Sequence, residues 1–112
     1  MRNGAASQWI ATDELASRLE SDAITIIDVR SPEEFAGPLG HIETALNIPL
    51  GELPDRLIEI RAFEDRPVIL VCKTDKRSGA AAAMLDDAGF CDVSVLRGGM
   101  EQWNRDRRPV DR

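Results

Sequence analysis

The sequence predicts an α/β fold in which a central, largely parallel sheet is flanked by helices. Three apolar runs rich in β-branched residues, at 23–29, 67–71 and 92–96, are continuous rather than alternating, as expected of strands covered on both faces. Segments with apolar residues at helical spacing separate these runs. Strands that alternate with helices in this way are typical of a parallel sheet with helical crossovers.

The first half of the chain supplies two predicted helices and two predicted strands. Residues 13–21 carry leucines on one helical stripe, and the strand at 23–29 follows. At 31–34 a serine, a proline and two glutamates predict a helix start, with serine as N-cap and proline at the first helical position. Glycine and proline residues at 37–40 end this short helix, and 45–49 supplies a short strand.

The second half continues the alternation. Apolar residues at helical spacing predict a helix over 53–63, before the buried strand at 67–71. The alanine-rich segment 78–89 has high helix propensity and small side chains that allow close packing against a sheet. The strand at 92–96 and a final helical segment at 100–106 complete the set.

The composition limits the classes of protein that fit. With 112 residues, of which 43% are hydrophobic, the chain is long enough for one domain with a hydrophobic core. A formal net charge of -6 argues against a general affinity for nucleic acid or anionic membrane, and no apolar stretch is long enough to cross a bilayer. The start of the chain has no apolar run of signal-peptide length, so a cytoplasmic location is expected.

The two cysteines do not form a scaffold. Cys72 and Cys91 lie 19 residues apart without a CxxC or Cys/His pattern, so neither a disulfide framework nor a zinc site is expected, and the sequence predicts no metal and no cofactor. His41 is the only histidine. A Cys/His dyad would require this residue to approach a cysteine in the fold, and sequence spacing leaves that open.

Cys72 directly follows a predicted strand and precedes a predicted helix by only a few residues. In α/β sheets ligands bind beyond the carboxyl ends of the strands. A short strand-to-helix loop directs backbone N–H groups inward and adds the positive end of the helix dipole. Lys73, Lys76 and Arg77 add cations against one anion, Asp75. This environment favours the reactive thiolate of Cys72.

A structural interpretation of each cysteine competes with the catalytic one. Free cysteines are often small buried hydrophobes, and Cys72 could simply fill the end of a strand. Cys91 lies between a helix and a strand with no cationic neighbours, so a structural role is favoured there. The cationic loop is the feature that favours a catalytic role for Cys72 over Cys91.

Four segments of the chain resemble the motifs of single-domain rhodanese-like sulfurtransferases. The loop CKTDKRS (72–78) is similar to the family's Cys-x-x-Gly-x-Arg-Ser loop. IIDVRSPEEF (26–35) and GHIETALNIP (40–49) resemble its Asp-Val-Arg/Glu-Phe and Gly-His-Ile segments, and VLRGGMEQW (95–103) resembles its Gly-Gly-x-x-x-Trp close. The ordered set implies a rhodanese-like three-layer fold over residues 8–108, leaving 1–7 as a polar leader or expression remnant and 109–112 as a C-terminal tail.

The resemblance implies sulfur transfer through a persulfide on Cys72. A small anionic donor such as thiosulfate would supply the sulfur, and a thiol, cyanide or a protein would accept it. The loop that would bind the donor comprises Lys73, Thr74, Asp75, Lys76, Arg77 and Ser78. Because backbone N–H groups of this loop would hold the anion, no general base is required.

The resemblance also implies supporting roles for residues outside the loop. Asp28 and Arg30 end a strand on the active side, and the arginine is expected to pair with the glutamate of the Glu-Phe motif, Glu34. We interpret this pair as structural rather than catalytic. His41 is expected to hold its turn by hydrogen bonds.

Glycines and their replacements mark the remaining motif positions. Gly98 and Gly99 are expected to form a tight turn near the active loop. Asp75 stands where the family loop has glycine, which adds a negative charge and removes the freedom to adopt a positive φ. Thr44 replaces the glycine before Ala45, a change that concerns turn geometry.

Two other functions fit the same fold. A phosphatase or arsenate reductase requires Cys-x5-Arg so that the loop can encircle a tetrahedral oxyanion, whereas here Arg77 follows Cys72 after four residues. A non-catalytic module that binds a partner or a small anion is the second alternative, because a fold does not fix a function.

Overall fold

The computed structural model describes residues 8–21 and 23–112, so the predicted leader at 1–7 lies outside the described residues. Its strands are β1 (Gln8–Ile10), β2 (Thr25–Asp28), β3 (Leu46–Asn47), β4 (Pro67–Val71) and β5 (Asp92–Leu96). Its α-helices are α1 (Thr12–Ser21), α2 (Pro32–Phe35), α3 (Leu57–Ile60), α4 (Lys76–Asp87) and α5 (Gly99–Arg105). The succession of strands and helices confirms the predicted α/β class.

All neighbouring strands pair in parallel, in the order β1-β5-β4-β2-β3. The predicted strands at 67–71 and 92–96 coincide with β4 and β5. The edge strand β1 was not predicted, because three residues carry too little pattern to distinguish a strand from a loop. Parallel pairing brings the ends of β2, β4 and β5 to one edge of the sheet.

The sheet has helices on both faces, because alternate side chains of each strand point to opposite sides. On one face Ile69 and Val71 pack with residues of α1 and α5. On the other face Val68 and Leu70 pack with residues of α3 and α4. This arrangement confirms the predicted layers, with a helical layer on either side of a buried sheet.

The short helix α2 begins as the sequence predicts. Ser31 Oγ accepts a hydrogen bond from the Glu34 N–H (3.2 Å), and Glu34 Oε1 accepts one from the Ser31 N–H (3.0 Å). These reciprocal bonds form a capping box that satisfies two N–H groups at the helix start. The cap fixes where the Glu34 carboxylate lies.

The predicted helix over 53–63 is interrupted. It consists of a 3-10 turn at Pro54–Arg56, then α3, then a second 3-10 turn at Arg61–Phe63. Its last apolar residues, Leu57, Ile60 and Phe63, are spaced by three, a spacing that suits 3-10 geometry as well as an α-helix.

Thr44 adopts a φ of +76°, in the left-handed region that favours glycine. The replacement of the family's glycine therefore falls at a turn position with a positive φ, in agreement with the expectation that it concerns turn geometry.

Residues 109–112, which the sequence analysis separates as a tail, contact the domain. Asp111 forms an antiparallel bridge with His41, and the Trp103 indole N–H donates to the carbonyl of Pro109 (2.8 Å). Within residues 8–21 and 23–112, no helix is both long enough and apolar enough to cross a membrane.

Candidate active site

Strand β4 carries Cys72 to the carboxyl edge of the sheet. Val68 to Val71 are buried, and Cys72 itself is only 1% exposed. The loop from Cys72 to Asp75 then leads directly into α4 at Lys76. The helix begins two residues before the predicted segment 78–89, so the loop is even shorter than the sequence indicated.

Ser78 contacts the sulfur of Cys72 in two ways. Its backbone N–H lies 3.4 Å from Cys72 Sγ and donates to it, and its hydroxyl oxygen lies 3.3 Å from the same atom. Ser78 is in the first turn of α4, where backbone N–H groups have no partner within the helix. In the described chain Ser78 alone makes these bonds, fewer than the several converging N–H groups that were expected. A donor N–H at the positive end of a helix stabilises negative charge on the sulfur.

The carbonyls of the loop are held by the start of α5. The N–H groups of Met100 and Glu101 donate to the carbonyls of Cys72 (2.9 Å) and Lys73 (3.0 Å). Gly98 and Gly99 adopt φ of +76° and +59°, and an added Cβ on Gly99 would lie 2.1 Å from the Thr74 carbonyl oxygen. The two glycines thus allow the helix to press against the loop, as expected of the tight turn.

Asp75 does not need the conformational freedom of glycine. Its φ is -151°, outside the left-handed region, so the loss of glycine's freedom to adopt a positive φ does not affect this backbone. Its carboxylate accepts a hydrogen bond from the Gly98 N–H (3.3 Å). The effect of Asp75 is therefore one of charge, fixed beside the loop.

Arg77 is bound by Glu34 rather than left free for a donor. Its guanidinium donates two hydrogen bonds to the Glu34 carboxylate, at 2.7 and 2.9 Å. The Arg77 hydrogen bonds lower the pKa of Glu34 to about 2 against the opposing effect of burial, and the same bonds raise the pKa of Arg77. The expected pairing of Glu34 with Arg30 is wrong, because the capping box turns the Glu34 carboxylate toward α4.

We expect Glu34→Gln to remove a pH-dependent part of the stability. Because the folded-state pKa is depressed, the stabilisation is complete above the unfolded value of 4.5 and is lost as pH falls toward 2. The pair is about one-third exposed, so its effect at neutral pH is only about 1 kcal/mol. Urea unfolding of both proteins from pH 7 to pH 2.5 measures it.

The control for this prediction is Glu33→Gln, which removes the same charge from the neighbouring exposed residue. Glutamine keeps an acceptor for the capping box, so the cap is retained in Glu34→Gln. The difference between wild type and Glu34→Gln should shrink as the solution is acidified. A difference that stays constant over this range contradicts the prediction.

Arg30 pairs with Asp28, and both are buried. Arg30 Nε and Nη2 donate to the Asp28 carboxylate at 2.9 and 2.7 Å, and each side chain is 1% exposed. The remaining donors of Arg30 reach the carbonyls of Glu34 (3.2 Å) and Gly40 (2.8 Å). The arginine therefore ties the end of β2 to the segment that carries Glu34.

The other loop cations are exposed. Lys73 lies 3.8 Å from Glu101, while Lys76 has no carboxylate within ion-pair distance among residues 8–21 and 23–112. Thr74 is also exposed at the surface of the loop. Of the predicted donor-binding residues, only Ser78 has a side chain within hydrogen-bond distance of the sulfur in the described structure.

His41 holds its turn, as expected. Its Nδ1 lies 2.9 Å from the carbonyl oxygen of Phe35, and the two rings stack with centroids 3.7 Å apart.

Comparison with known proteins identifies the family. Residues 11–106 match the family model described as the rhodanese-like domain. The chain belongs to this family. It is 35% identical over 102 residues to a protein from Allochromatium vinosum named sulfurtransferase, covering 90% of this chain and 92% of that protein. It is 36% identical over 88 residues to the thiosulfate sulfurtransferase GlpE of Ectopseudomonas mendocina, covering 79% and 77%.

A solved structure agrees with this assignment. The rhodanese-like domain protein from Staphylococcus aureus superposes with a TM-score of 0.79 at 32% identity, covering 94% of this chain and 99% of that one. The chain spans only 46 to 59% of the length of three other curated relatives that it matches. These comparisons support a sulfurtransferase family and a rhodanese-like fold.

The rhodanese-like loop also differs from the loop with which a phosphatase binds its oxyanion substrate. Arg77 follows Cys72 after four residues, and its guanidinium is already bound in a bidentate manner by Glu34. Phosphatase chemistry needs that guanidinium for the substrate. The structure adds this second argument against the phosphatase alternative.

Sequence reasoning missed two residues of the site. Glu101 faces Lys73, and Asn47 donates from its amide to the carbonyls of Asp28 (3.1 Å) and Arg30 (2.9 Å). Asn47 lies within the Asn-Ile-Pro motif, which was the available signal. Glu101 has no such signal, since only the fold brings the start of α5 to the loop.

No cluster of metal-binding side chains occurs in the part of the chain that the structure describes. Cys91 is exposed, and its sulfur lies 4.0 Å from a carboxylate oxygen of Asp65.

Proposed function

We propose that this rhodanese-like domain is a sulfurtransferase that carries a sulfane sulfur as a persulfide on Cys72. The observation that carries the proposal is the pair of contacts from Ser78 to Cys72 Sγ at the start of α4. A thiol at that position has a hydrogen-bond donor for its anionic form and for a persulfide anion. The sulfurtransferase relatives support the same chemistry.

In the first half-reaction the Cys72 thiolate attacks the outer sulfur of a donor such as thiosulfate. A bond forms between Cys72 Sγ and that sulfur while the sulfur–sulfur bond of the donor breaks, and sulfite leaves with the electron pair. The product is a persulfide anion on Cys72. The Ser78 N–H would then stabilise negative charge at the site.

In the second half-reaction an acceptor nucleophile attacks the terminal sulfur. Cyanide gives thiocyanate, while a thiol or a protein cysteine gives a new persulfide. In each case the Cys72 thiolate is the leaving group, so the site returns to its starting state. Neither half-reaction requires a metal or a general base.

Mass measurement after incubation with thiosulfate tests the proposal. Wild-type protein should gain one sulfur atom, and cyanide or dithiothreitol should remove it. Cys72→Ala should gain none, whereas the matched control Cys91→Ala should behave as wild type. Ser78→Ala should slow loading about tenfold, because it removes one of two hydrogen-bonding groups from a charged sulfur.

Several donors must be tried before the proposal is abandoned. If thiosulfate, a mercaptopyruvate-type donor and a persulfide-loaded cysteine desulfurase all fail to add sulfur to Cys72, the protein is not a sulfurtransferase. Sulfur that is retained in Cys72→Ala would equally contradict the assignment of the site.

A further inference from the structure

Three of the four cations around the site form ion pairs with carboxylates. Arg30 lies 2.7 Å from Asp28, Arg77 lies 2.7 Å from Glu34, and Lys73 lies 3.8 Å from Glu101. The sequence alone suggested an excess of positive charge at the loop. The fold instead supplies partners for these cations from β2, α2 and α5.

The two remaining charged residues are Asp75 and Lys76, which are adjacent in the chain but do not form an ion pair within the described residues. Lys76 is exposed, whereas Asp75 is half-buried and its carboxylate is fixed by the Gly98 N–H at 3.3 Å. Four cations and four carboxylates thus lie around the site, and their formal charges sum to zero. The Asp75 carboxylate cannot swing away from the loop without losing its hydrogen bond.

We infer that Asp75 is a specificity-determining residue that selects sulfur donors of low charge, namely hydropersulfides, against the thiosulfate dianion. The inference rests on the proposed function. Thiosulfate carries two negative charges, and its leaving group, sulfite, must also be accommodated as an anion. An electrically balanced site with a fixed carboxylate offers little net attraction to such a donor.

A hydropersulfide reacts at the same thiolate with less charge. Cys72 Sγ bonds to the terminal sulfur of the donor, the sulfur–sulfur bond of the donor breaks, and the donor thiolate leaves with the electron pair. When the donor persulfide is protonated, its proton remains on the transferred sulfur or passes to solvent. When the donor is ionised, it carries a single negative charge and no proton is transferred. No oxidant or reductant is consumed, because one persulfide is exchanged for another.

Loading kinetics with three donors test the inference. The donors are thiosulfate, 2-hydroxyethyl hydropersulfide, whose only charge is on the persulfide, and a cysteine desulfurase loaded with persulfide. The kcat/KM of the wild-type protein should be higher for the hydropersulfide than for thiosulfate. Asp75→Asn should raise kcat/KM about tenfold for thiosulfate and about threefold for the singly charged hydropersulfide, since repulsion scales with donor charge.

The matched control is Asp87→Asn, which removes the same charge at the far end of α4. Asp87 lies about 18 Å along the helix from Asp75, beyond the screening length of ~8 Å at physiological salt. It should leave both kcat/KM values unchanged. Added salt should raise the thiosulfate rate of wild type more than that of Asp75→Asn.

The outcomes separate this inference from the proposed function. Two results would overturn the role of Asp75 alone while all donors still load the protein. In the first, Asp75→Asn raises kcat/KM by the same factor for every donor; in the second, it raises kcat/KM for thiosulfate less than twofold. Failure of every donor to load wild type overturns the proposed function and this inference together. The desulfurase arm distinguishes a protein-borne persulfide from a small one as the preferred source.

Discussion

Replacement of Gly99 by alanine is expected to lower the free energy of unfolding by at least about 3 kcal/mol. The new Cβ would lie 2.1 Å from the Thr74 carbonyl oxygen and 2.4 Å from the Cys72 carbonyl oxygen. Both atoms belong to the backbone of the active loop and cannot rotate aside. The φ of +59° at Gly99 adds the cost of a left-handed conformation.

Two other glycine variants distinguish the steric cost of Gly99→Ala from its backbone strain. Gly89 has a φ of +98° but no atom within 4 Å of an added Cβ, so Gly89→Ala should cost only the backbone strain of about 1 kcal/mol. Gly79 lies inside α4 with nothing within 4 Å, so Gly79→Ala should stabilise the protein by about 0.5 to 1 kcal/mol. Urea unfolding at constant pH measures all three.

The Gly99 variant also tests how the active loop is held. The N–H groups of Met100 and Glu101 fix the loop carbonyls, so a shift of α5 away from the clash would release them. Gly99→Ala protein that still folds should therefore load sulfur on Cys72 more slowly than Gly79→Ala. If Gly99→Ala costs no more than Gly89→Ala, the close approach of α5 to the loop is not required for stability.

The features that were predicted from sequence are those encoded locally. Ser31, Pro32 and Glu34 define the start of α2 through bonds between residues three apart, and the structure confirms the cap. The continuous apolar runs identified β4 and β5, because a strand that is buried on both faces needs apolar residues at successive positions. The position of Cys72 followed from the end of β4.

The features that were missed depend on contacts between distant parts of the chain. Arg77 and Glu34 are 43 residues apart, and no local pattern identifies them as partners. Arg30 has carboxylates on both sides in sequence, and only the burial of Asp28 beside it in the fold decides between them. The charge of the site was mistaken for the same reason, since the neutralising carboxylates lie on other elements.

The second large effect is expected from Asp28→Asn. This change leaves the Arg30 guanidinium buried with a neutral partner, and we expect a loss of about 3 to 5 kcal/mol in the free energy of unfolding. The bidentate geometry strengthens the ion pair, because Nε and Nη2 of Arg30 both donate to the Asp28 carboxylate. Asparagine can accept from the guanidinium but cannot compensate its charge.

A bidentate pair on the surface supplies the matched control. Arg56 binds Glu59 through Nε and Nη2 at 2.9 and 3.0 Å, which is nearly the geometry of the buried pair, but its side chain is 33% exposed. Glu59→Gln should therefore change the stability barely measurably, since solvent screens the exposed charges. Because the two pairs have nearly the same geometry, the difference between the stability lost in Asp28→Asn and in Glu59→Gln measures the effect of burial.

A double-mutant cycle completes the test of the buried pair. Arg30→Met alone leaves the Asp28 carboxylate buried without its cation, whereas the double variant Asp28→Asn with Arg30→Met removes both charges. The double variant should therefore lose less stability than the sum of the two single variants. Strict additivity would mean that the two side chains act independently. The hydrogen bonds from Arg30 to the carbonyls of Gly40 and Glu34 would then not depend on its pairing with Asp28.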